Sequence, residues 1–384
     1  MEYAHGLAER GHQVTLVPTL PSSEKPLWFD RDYGVYVTTT KGHLTRWFLS
    51  GFGGCLKQCV PAVVDPEAKA RLKSSLLDLA CSTGLLRARL WPYELRLALA
   101  LYYVRRVIPP ADVTIATHYT TALPTWRYGR GRLYYFMQHF EPYFAPNASD
   151  PRLAELESLT SYRLGLRMIA NSSWLKEKVE REVPGSKIDL CLNAVNHAVF
   201  NGEPRVAVPS DEIKVISFGG SRMEWKGFDE MAQAVRMTRR ALPNLNIRWL
   251  VYGSKASLPP GNPVAPYEEC GFMQPRELAA LYKQADILLS ASWYESFPLF
   301  PLEAMACGLP VVTTRYGTED YAIPRETAEV VEPKNPESVA SGLIRLITDI
   351  DYRNSIASKG NAISKKFTWE HSVATMESIL LSHV

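Results

Sequence analysis

Short apolar segments alternate with amphipathic ones along most of the chain, and this alternation predicts an α/β protein. Helical periodicity marks residues 151–164, 172–182, 228–241 and 335–348. The strand candidates are 34–40, 112–117, 132–138, 166–170, 187–192, 213–218, 247–252, 309–314 and 328–331. Strands and helices in this order form parallel sheets covered by helices on both faces.

One segment, residues 41–109, departs from this pattern. It carries eleven Lys and Arg against four Asp and Glu, with aromatic residues between them, and residues 68–90 and 92–107 show helical periodicity. One interpretation is a set of helices that pack on the domain with solvated basic faces. The other is a basic, aromatic surface that rests on an anionic membrane or holds a lipid pyrophosphate. Both interpretations stay open at this stage.

Length and composition narrow the class of protein. With 384 residues the chain is long enough for two cores, and its formal net charge of +3 is too small to favour nucleic acid binding. Its cysteines form no CxxC pair, which favours reduced thiols and no zinc site. The N-terminus is polar and the most apolar run, 95–108, is interrupted by arginines. We therefore expect a cytoplasmic protein, with the inner membrane face as a possible location.

Two glutamates eight positions apart carry the most chemical information. Glu295 lies in a loop that leads into a short predicted helix, Pro301 suits the first turn of that helix, and Gly308 suits its end. This places Glu303 in the first turn, beside free amides and the positive end of the helix dipole. Such a loop can bind an anion while its carboxylates hold hydroxyl groups, which favours a sugar nucleotide. The spacing of two glutamates alone also arises by chance.

The residues around this pair resemble the E-x7-E signature of retaining glycosyltransferases, especially glycosyltransferase family 4. The positions that match are Glu295, Phe297, Leu299, Glu303, Ala304, Met305, Ala306, Gly308, Pro310, Val311 and Val312. Ser296 and Pro298 replace the usual glycines, and Pro298 has no amide to offer a sugar hydroxyl. The resemblance implies the GT-B fold, in which two Rossmann-like domains face each other across a cleft.

A glycine-rich turn after the strand 213–218 is a second candidate site. It contains Gly220, Arg222 and Lys226, and two cations at the end of a strand can neutralise a diphosphate. A plain surface loop with two charges is the alternative. The turn resembles the family segment that contacts donor phosphates, although Arg222 is one residue closer to Lys226 than usual. Farther along, the segment 271–286 resembles the part that flanks the nucleobase, with Phe272 and Met273 as candidates.

Two histidines follow predicted strands, at the edge where α/β proteins bind ligands. His139 resembles the family histidine that faces the transferred sugar, and we prefer it to His118. Glu141, in the same loop as His139, is a second carboxylate that can serve the acceptor together with His118. A purely structural role is the alternative for each histidine.

The resemblance also implies a domain organisation. Residues 1–200 would form the acceptor-side domain, 201–211 the linker, 212–366 the nucleotide-sugar-binding domain and 367–384 a helix that crosses back. Residues 4–17 resemble the first helix and second strand of the family, so we expect the first strand to precede Met1 or to be dispensable.

Taken together, the motifs predict an enzyme that moves a sugar from a nucleotide sugar to a glycan or lipid-linked acceptor without a metal, and the resemblance implies a retaining hexosyltransferase. The resemblance implies that Glu303 holds the ribose and that Glu295 lies near the transferred sugar. Lys226, Arg222 and the amides near residues 300–302 would stabilise the leaving phosphate. The remaining donor-binding candidates are Ser296, Phe297, Pro298, Leu299 and Phe300. A GT-B epimerase of sugar nucleotides and a non-catalytic homologue or partner subunit are the alternatives.

Overall fold

The computed structural model describes residues 2–17, 35–37, 105, 108–147, 151–219, 223–253 and 265–382. The chain divides into two compact units. The first comprises Met1–Tyr135 and Glu141–Arg167, and the second Phe136–Phe140 and Met168–Val384. Of the basic segment 41–109, only residues 105, 108 and 109 are described, so the helices predicted at 68–90 and 92–107 lie almost entirely outside the described residues.

The first unit begins as the sequence predicts, with a helix followed by a strand. Helix α1 (Glu2–Glu9) leads through Gly11, at φ 94°, into β1 (Val14–Leu16). A positive φ at this turn favours glycine, since other residues have a clashing Cβ there. Strand β2 (Val35–Val37) pairs with β1 in parallel.

A second parallel pair in this unit consists of β3 (Val113–Ala116) and β4 (Arg132–Met137), whose last two residues belong to the second unit. Helix α2 (Tyr119–Tyr128) connects them and was not predicted, because Pro124 interrupts its pattern. A 3₁₀ helix, Glu141–Asn147, which contains Pro142 and Pro146, forms part of the loop predicted to carry His139 and Glu141. Proline fixes φ near −65°, which suits the short turns of a 3₁₀ helix. Helix α3 (Pro151–Ser161) follows and packs against it.

After Phe136–Phe140, the second unit continues with β5 (Arg167–Ala170), α4 (Ser173–Glu182) and β6 (Ile188–Leu190). Arg167 itself belongs to the first unit. Strands β5 and β6 pair in parallel, with Met168 opposite Ile188. The Ser172 side chain caps α4 by accepting from the Leu175 amide at 3.1 Å. The predicted helix and both predicted strands are confirmed here, each within two residues of its expected ends.

A six-stranded parallel sheet forms the centre of the second unit. Its strands are β7 (Glu212–Phe218), β8 (Asn246–Tyr252), β9 (Glu268–Gly271), β10 (Ile287–Leu289), β11 (Val311–Thr314) and β12 (Glu329–Val331). The helices are α5 (Phe228–Ala241), α6 (Pro275–Gln284), α7 (Leu299–Ala306), α8 (Pro336–Thr348), α9 (Ile350–Ser364) and α10 (Trp369–Leu381). The order across the sheet is β12-β11-β10-β7-β8-β9.

Neighbouring residues of each central strand point to opposite faces of the sheet, and apolar side chains from the helices cover both faces. Val215 and Trp249 lie in a core with Val235 of α5 and Leu343 of α8. Side chains one position along the strands join a second core on the other face, namely Ile216, Leu250, Leu278 of α6 and Leu302 of α7. The two cores fix the sheet in place between two layers of helices.

Several elements of this unit were not predicted, among them β9 and α9. Strand β9 is an edge strand with a polar sequence, EECG, so it has no hydrophobic alternation to detect. Helix α9 has weak amphipathic character, since its buried positions include Arg353, Gly360 and Asn361. In both cases tertiary contacts rather than local pattern set the conformation.

The last helix contacts residues that precede the large sheet. The Cys191 thiol donates to the Ser372 carbonyl at 3.4 Å, and Val195 forms a bridge with Thr368. All of these residues belong to the second unit. The predicted domains 1–200 and 212–366, the linker at 201–211 and the crossing-back segment 367–384 stay predictions.

Candidate functional site

The strand order of the second unit indicates where a ligand can bind. From β7 the chain adds strands on one side, through β8 to β9, and then returns to place β10 on the other side of β7. Ligands of α/β sheets bind outside the carboxyl ends of the strands at such a reversal. A cavity lies there, lined by Phe218, Lys226, Met231, Tyr252, Leu288, Leu289, Ser290, Ser292, Glu295, Pro298, Phe300 and Pro301.

Lys226 reaches this cavity from the turn that follows β7. It ends a short 3₁₀ helix, Glu224–Lys226, and Gly227 follows at φ 68°. A Cβ on Gly227 would lie 1.9 Å from the Ala291 carbonyl oxygen, so only glycine allows this close approach. The Trp293 amide donates to the Trp225 carbonyl at 2.7 Å. These contacts hold the lysine against the segment that carries Glu295.

Glu295 and Lys226 form a partly buried ion pair. Glu295 Oε1 lies 2.5 Å from Lys226 Nζ, and their side chains are 15% and 24% exposed. The Glu295 amide donates to the Tyr316 carbonyl at 3.0 Å. Gly317, at φ 97°, passes so close below that a Cβ would lie 2.3 Å from the Glu295 carbonyl oxygen. The structure therefore brings together the cation and the carboxylate that the sequence predicts for the donor site.

His139 lies close enough to this ion pair for the charges of Glu295 and Lys226 to affect its pKa. Burial lowers the pKa of His139 to about 4, although the Glu295 carboxylate acts in the opposite direction. Its ring makes edge contacts with Trp174 at 6.4 Å and Tyr294 at 6.1 Å, and Tyr294 stacks on Trp225. At neutral pH the imidazole is uncharged, so it can offer or accept a hydrogen bond without adding a positive charge.

Glu303 is not in the first turn of its helix, contrary to the sequence-based prediction. Helix α7 begins at Leu299, with Pro298 as its N-cap, so Glu303 is the fifth helical residue. Proline is tolerated within the first turn because no intrahelical partner exists for its missing amide, which lets the helix start before Pro301. The free first-turn amides are those of Leu299 and Phe300, since Pro301 has none. Burial raises the pKa of Glu303 to about 7.

The remaining donor-site candidates lie in different surroundings. Pro298 and Phe300 line the cavity, whereas the Phe297 side chain packs in the core against Tyr321 and Phe367. Leu299 and Met273 pack partly buried against the same core, and Phe272 is 70% exposed. The Ser296 side chain is 1% exposed, and its hydroxyl donates to Asn171 Oδ1. Gly220 and Arg222 lie outside the described residues.

His118 and Glu141 meet in the first unit. His118 Nε2 lies 3.8 Å from Glu141 Oε1, and the Tyr135 hydroxyl donates to Glu141 Oε2. Burial raises the pKa of Glu141 to about 8 and lowers the pKa of His118. The Glu141 carboxyl is therefore largely protonated at neutral pH. Its contact with His118 is one between neutral polar groups rather than an ion pair.

Sequence reasoning missed residues that hold the site in position. Asn171, at the end of β5, and Gly317, after β11, were not among the predicted site residues. Gly317 followed a predicted strand and was a detectable turn signal. Asn171 lies in a segment, 170–175, that resembles the family, but only the tertiary structure places its side chain beside Ser296.

Comparison with known proteins identifies the class. Residues 213–349 match the family model of glycosyl transferases group 1, so the large sheet of the second unit is a glycosyl transferase group 1 domain. The resemblance to glycosyltransferase family 4 inferred from the sequence is thereby confirmed for this domain.

Curated relatives include the D-inositol 3-phosphate glycosyltransferase of Corynebacterium urealyticum, 28% identical over 54% of this chain and 52% of the relative. An uncharacterised glycosyltransferase of Methanocaldococcus jannaschii is 28% identical over 56% of this chain and 60% of its own length. The chain thus matches little more than half the length of these curated relatives.

Solved structures establish the fold. Sucrose-phosphate synthase of Thermosynechococcus elongatus matches 98% of this chain and 90% of its own with a TM-score of 0.70 and 16% identity. The HepE protein of Anabaena, solved with UDP and glucose, matches 99% of this chain and 94% of its own with a TM-score of 0.62 and 14% identity. The chain has the predicted GT-B fold, an α/β architecture of two Rossmann-like domains.

Two further features concern metals and membranes. Within the ranges that the structure describes, no cluster of three or more His, Cys, Asp and Glu side chains is arranged to hold a metal ion. In the same ranges, no helix combines the length and apolar character needed to cross a membrane.

Proposed function

We propose that this protein is a retaining, metal-independent hexosyltransferase that moves a sugar from a nucleotide sugar to a glycan or lipid-linked acceptor. One observation carries the proposal. Lys226 and Glu295, a cation and a carboxylate, meet at the strand-order reversal of a glycosyl transferase group 1 domain. A cation can bind the diphosphate of a nucleotide sugar, and a carboxylate can accept hydrogen bonds from the hydroxyl groups of the sugar.

The leaving nucleoside diphosphate gains negative charge as the bond to the sugar breaks. Lys226 and the amides of Leu299 and Phe300 are suited to stabilise this charge, and Arg222 is a further candidate. Removal of one such preorganised donor costs about 3 kcal/mol in many enzymes, or roughly a hundredfold in rate. Because these groups supply the positive charge, we propose that transfer proceeds without a metal. Undiminished activity in EDTA is the expected result.

The other residues divide between the nucleoside and the sugar. We assign Glu303 to the ribose, where a carboxylate accepts hydrogen bonds from both hydroxyls. Glu295 and the neutral His139 are assigned to the transferred sugar. His118 and Glu141 are assigned to the acceptor. Retention of the anomeric configuration is proposed from the family resemblance.

Thermal shift measurements with GDP-, UDP- and dTDP-sugars test the donor site. UDP-glucose is the first choice because HepE was solved with UDP and glucose. A ligand at a hundred times its Kd stabilises the folded state by about 2.7 kcal/mol. We expect one nucleotide class to raise the unfolding temperature of the wild type and of Lys359→Ala, an exposed-lysine control on α9, but not of Lys226→Ala. Equal stabilisation of Lys226→Ala would contradict the site.

Product analysis then separates the functions. Transfer to an acceptor panel, with inositol phosphates included because of the curated relatives, supports the transferase. A changed sugar in the absence of any acceptor would indicate an epimerase, which the glycosyltransferase relatives disfavour. Donor binding with no turnover on any acceptor would indicate a non-catalytic homologue.

A further inference from the structure

We propose that Asn171 is a positioning residue that fixes the segment carrying His139 relative to the segment carrying Glu295. The proposal rests on the proposed transferase function, which assigns both side chains to the transferred sugar. Asn171 directly follows β5, all three residues belong to the second unit, and its side chain is 3% exposed.

The two ends of one amide group make the connection. Asn171 Nδ2 donates to the Gln138 carbonyl at 3.2 Å, and Asn171 Oδ1 accepts from the Ser296 hydroxyl. Gln138 is the residue before His139, and Ser296 is the residue after Glu295. A single buried side chain therefore bridges the backbone next to His139 and the side chain next to Glu295.

The orientation of the amide follows from its partners. A backbone carbonyl only accepts, so the NH₂ group of Asn171 must face Gln138 and its oxygen must face Ser296. The Ser296 hydroxyl therefore acts as the donor. Ser172 Oγ lies 3.5 Å from the same hydroxyl and also accepts from the Leu175 amide, which ties this network to the start of α4.

Few other side chains can fill this role. Asparagine presents a donor and an acceptor from one planar group, whereas aspartate at neutral pH presents only acceptors. Asp at position 171 would place a carboxylate oxygen against the Gln138 carbonyl. Alanine would remove the hydrogen bond to the Gln138 carbonyl and the acceptor of the buried Ser296 hydroxyl, which is unfavourable.

Misplacement of reacting groups by about 1 Å can lower a rate by roughly a hundredfold. Loss of the Asn171 bridge removes one hydrogen bond each from Gln138 and Ser296, which are each one residue from a side chain assigned to the sugar. Lys226 is held separately, by Gly227 and by the contact of Trp293 with Trp225. The expected consequence is a lower kcat with little change in diphosphate binding.

The kinetic test compares Asn171→Asp, Asn171→Ala and Ser296→Ala. We expect kcat to fall roughly 10- to 100-fold in each, with the Kd of the free nucleoside diphosphate within about threefold of the wild type. Because both residues belong to one bridge, Asn171→Ala/Ser296→Ala should cost less than the product of the single losses. Wild-type kcat in Asn171→Asp would overturn the proposal.

Asn361→Ala is the matched control. Asn361 is also a buried asparagine that joins two segments, since its Nδ2 donates to the carbonyls of Gly202, Met305 and Ala306. We expect it to lower the unfolding temperature at least as much as Asn171→Ala while it keeps kcat. An equal loss of kcat in Asn361→Ala would show that general destabilisation explains the result.

The His139 imidazole resonance, assigned by its loss in His139→Ala, reports the same geometry without turnover. It should shift or broaden in Asn171→Ala and Ser296→Ala and keep its position in Asn361→Ala. An unchanged resonance in Asn171→Ala would refute the positioning role even if the protein transferred no sugar. A shifted resonance with no transfer would instead refute the proposed function alone.

Discussion

At the scale of single residues, the proposed donor site contains two charges that neutralise each other. Lys226 and Glu295 form a partly buried ion pair at 2.5 Å, although Lys226 is proposed to bind the diphosphate and Glu295 the transferred sugar. An anionic diphosphate must compete with the Glu295 carboxylate for the lysine. In the proposed function, the carboxylate would therefore weaken diphosphate binding even though it is assigned to the transferred sugar.

Replacement of this carboxylate by a neutral amide should separate the two roles. In Glu295→Gln we expect the Kd of the nucleoside diphosphate to fall roughly two- to fivefold, since Lys226 loses its competing partner. Sugar transfer should be lost. Isothermal titration calorimetry measures the first effect, with Glu332→Gln, which breaks the surface pair with Arg315, as the control. Weaker diphosphate binding in Glu295→Gln would contradict the competition.

Glu141 allows a pH-dependent prediction. Its pKa is about 8 in the folded protein against 4.5 for an ordinary glutamate, mainly because burial disfavours its charge. Between these values the folded state retains a proton that the unfolded chain releases. The free energy of unfolding therefore falls as the pH rises from about 4.5 to 8.

Glu141→Gln removes this titration while it keeps the size of the side chain. We expect the variant to gain stability relative to the wild type as the pH rises, with the largest gain above about pH 8. Thermal unfolding of both proteins between about pH 5 and pH 9 measures the difference. A difference that does not change with pH would show that Glu141 titrates normally.

At the scale of elements, glycines determine how closely the site segments approach each other. Gly227 and Gly317 both have positive φ, and a Cβ on either would lie within 2.3 Å of a backbone oxygen. The oxygens belong to Ala291 and Glu295, which flank the turn after β10. The glycines thus bring two neighbouring turns of the sheet against the segment that presents Glu295.

Gly317→Ala should damage both stability and activity. The strained backbone alone costs about 1–3 kcal/mol, and the contact with the Glu295 carbonyl adds to it. Gly185→Ala is the matched control, because Gly185 has φ 83° but a Cβ added there would meet no atom within 4 Å. We expect Gly317→Ala to unfold roughly 5 °C or more below Gly185→Ala and to lose transfer activity. Equal unfolding temperatures would show that the loop adapts.

At the scale of the whole molecule, charge is unevenly distributed along the chain. Residues 41–109 carry eleven basic and four acidic residues, whereas the whole chain has a net charge of only +3. Basic residues near an anionic membrane contribute about 1 kcal/mol each. A lipid-linked acceptor would bring the substrate to such a surface.

Flotation with vesicles tests this property of the basic segment. We expect binding to anionic vesicles at low salt, weaker binding as salt rises, and none to neutral vesicles. Replacement of Lys69, Arg71 and Lys73 by glutamine should weaken the binding. Absence of flotation with anionic vesicles at low salt would refute the membrane interpretation and favour solvated helix faces.

The sequence alone determined the properties that depend on local pattern. Apolar alternation predicted strands such as β7 and helices such as α5, because burial imposes a repeat of about two or about 3.6 residues. The residues around Glu295 and Glu303 predicted the GT-B fold through their resemblance to a family. The tertiary structure decided what depends on contacts between distant segments. It placed Asn171 between Gln138 and Ser296, started α7 before Pro301, and buried Glu141 until its pKa rose to about 8. These outcomes follow from desolvation and hydrogen bonding between residues far apart in the chain, which no local pattern records.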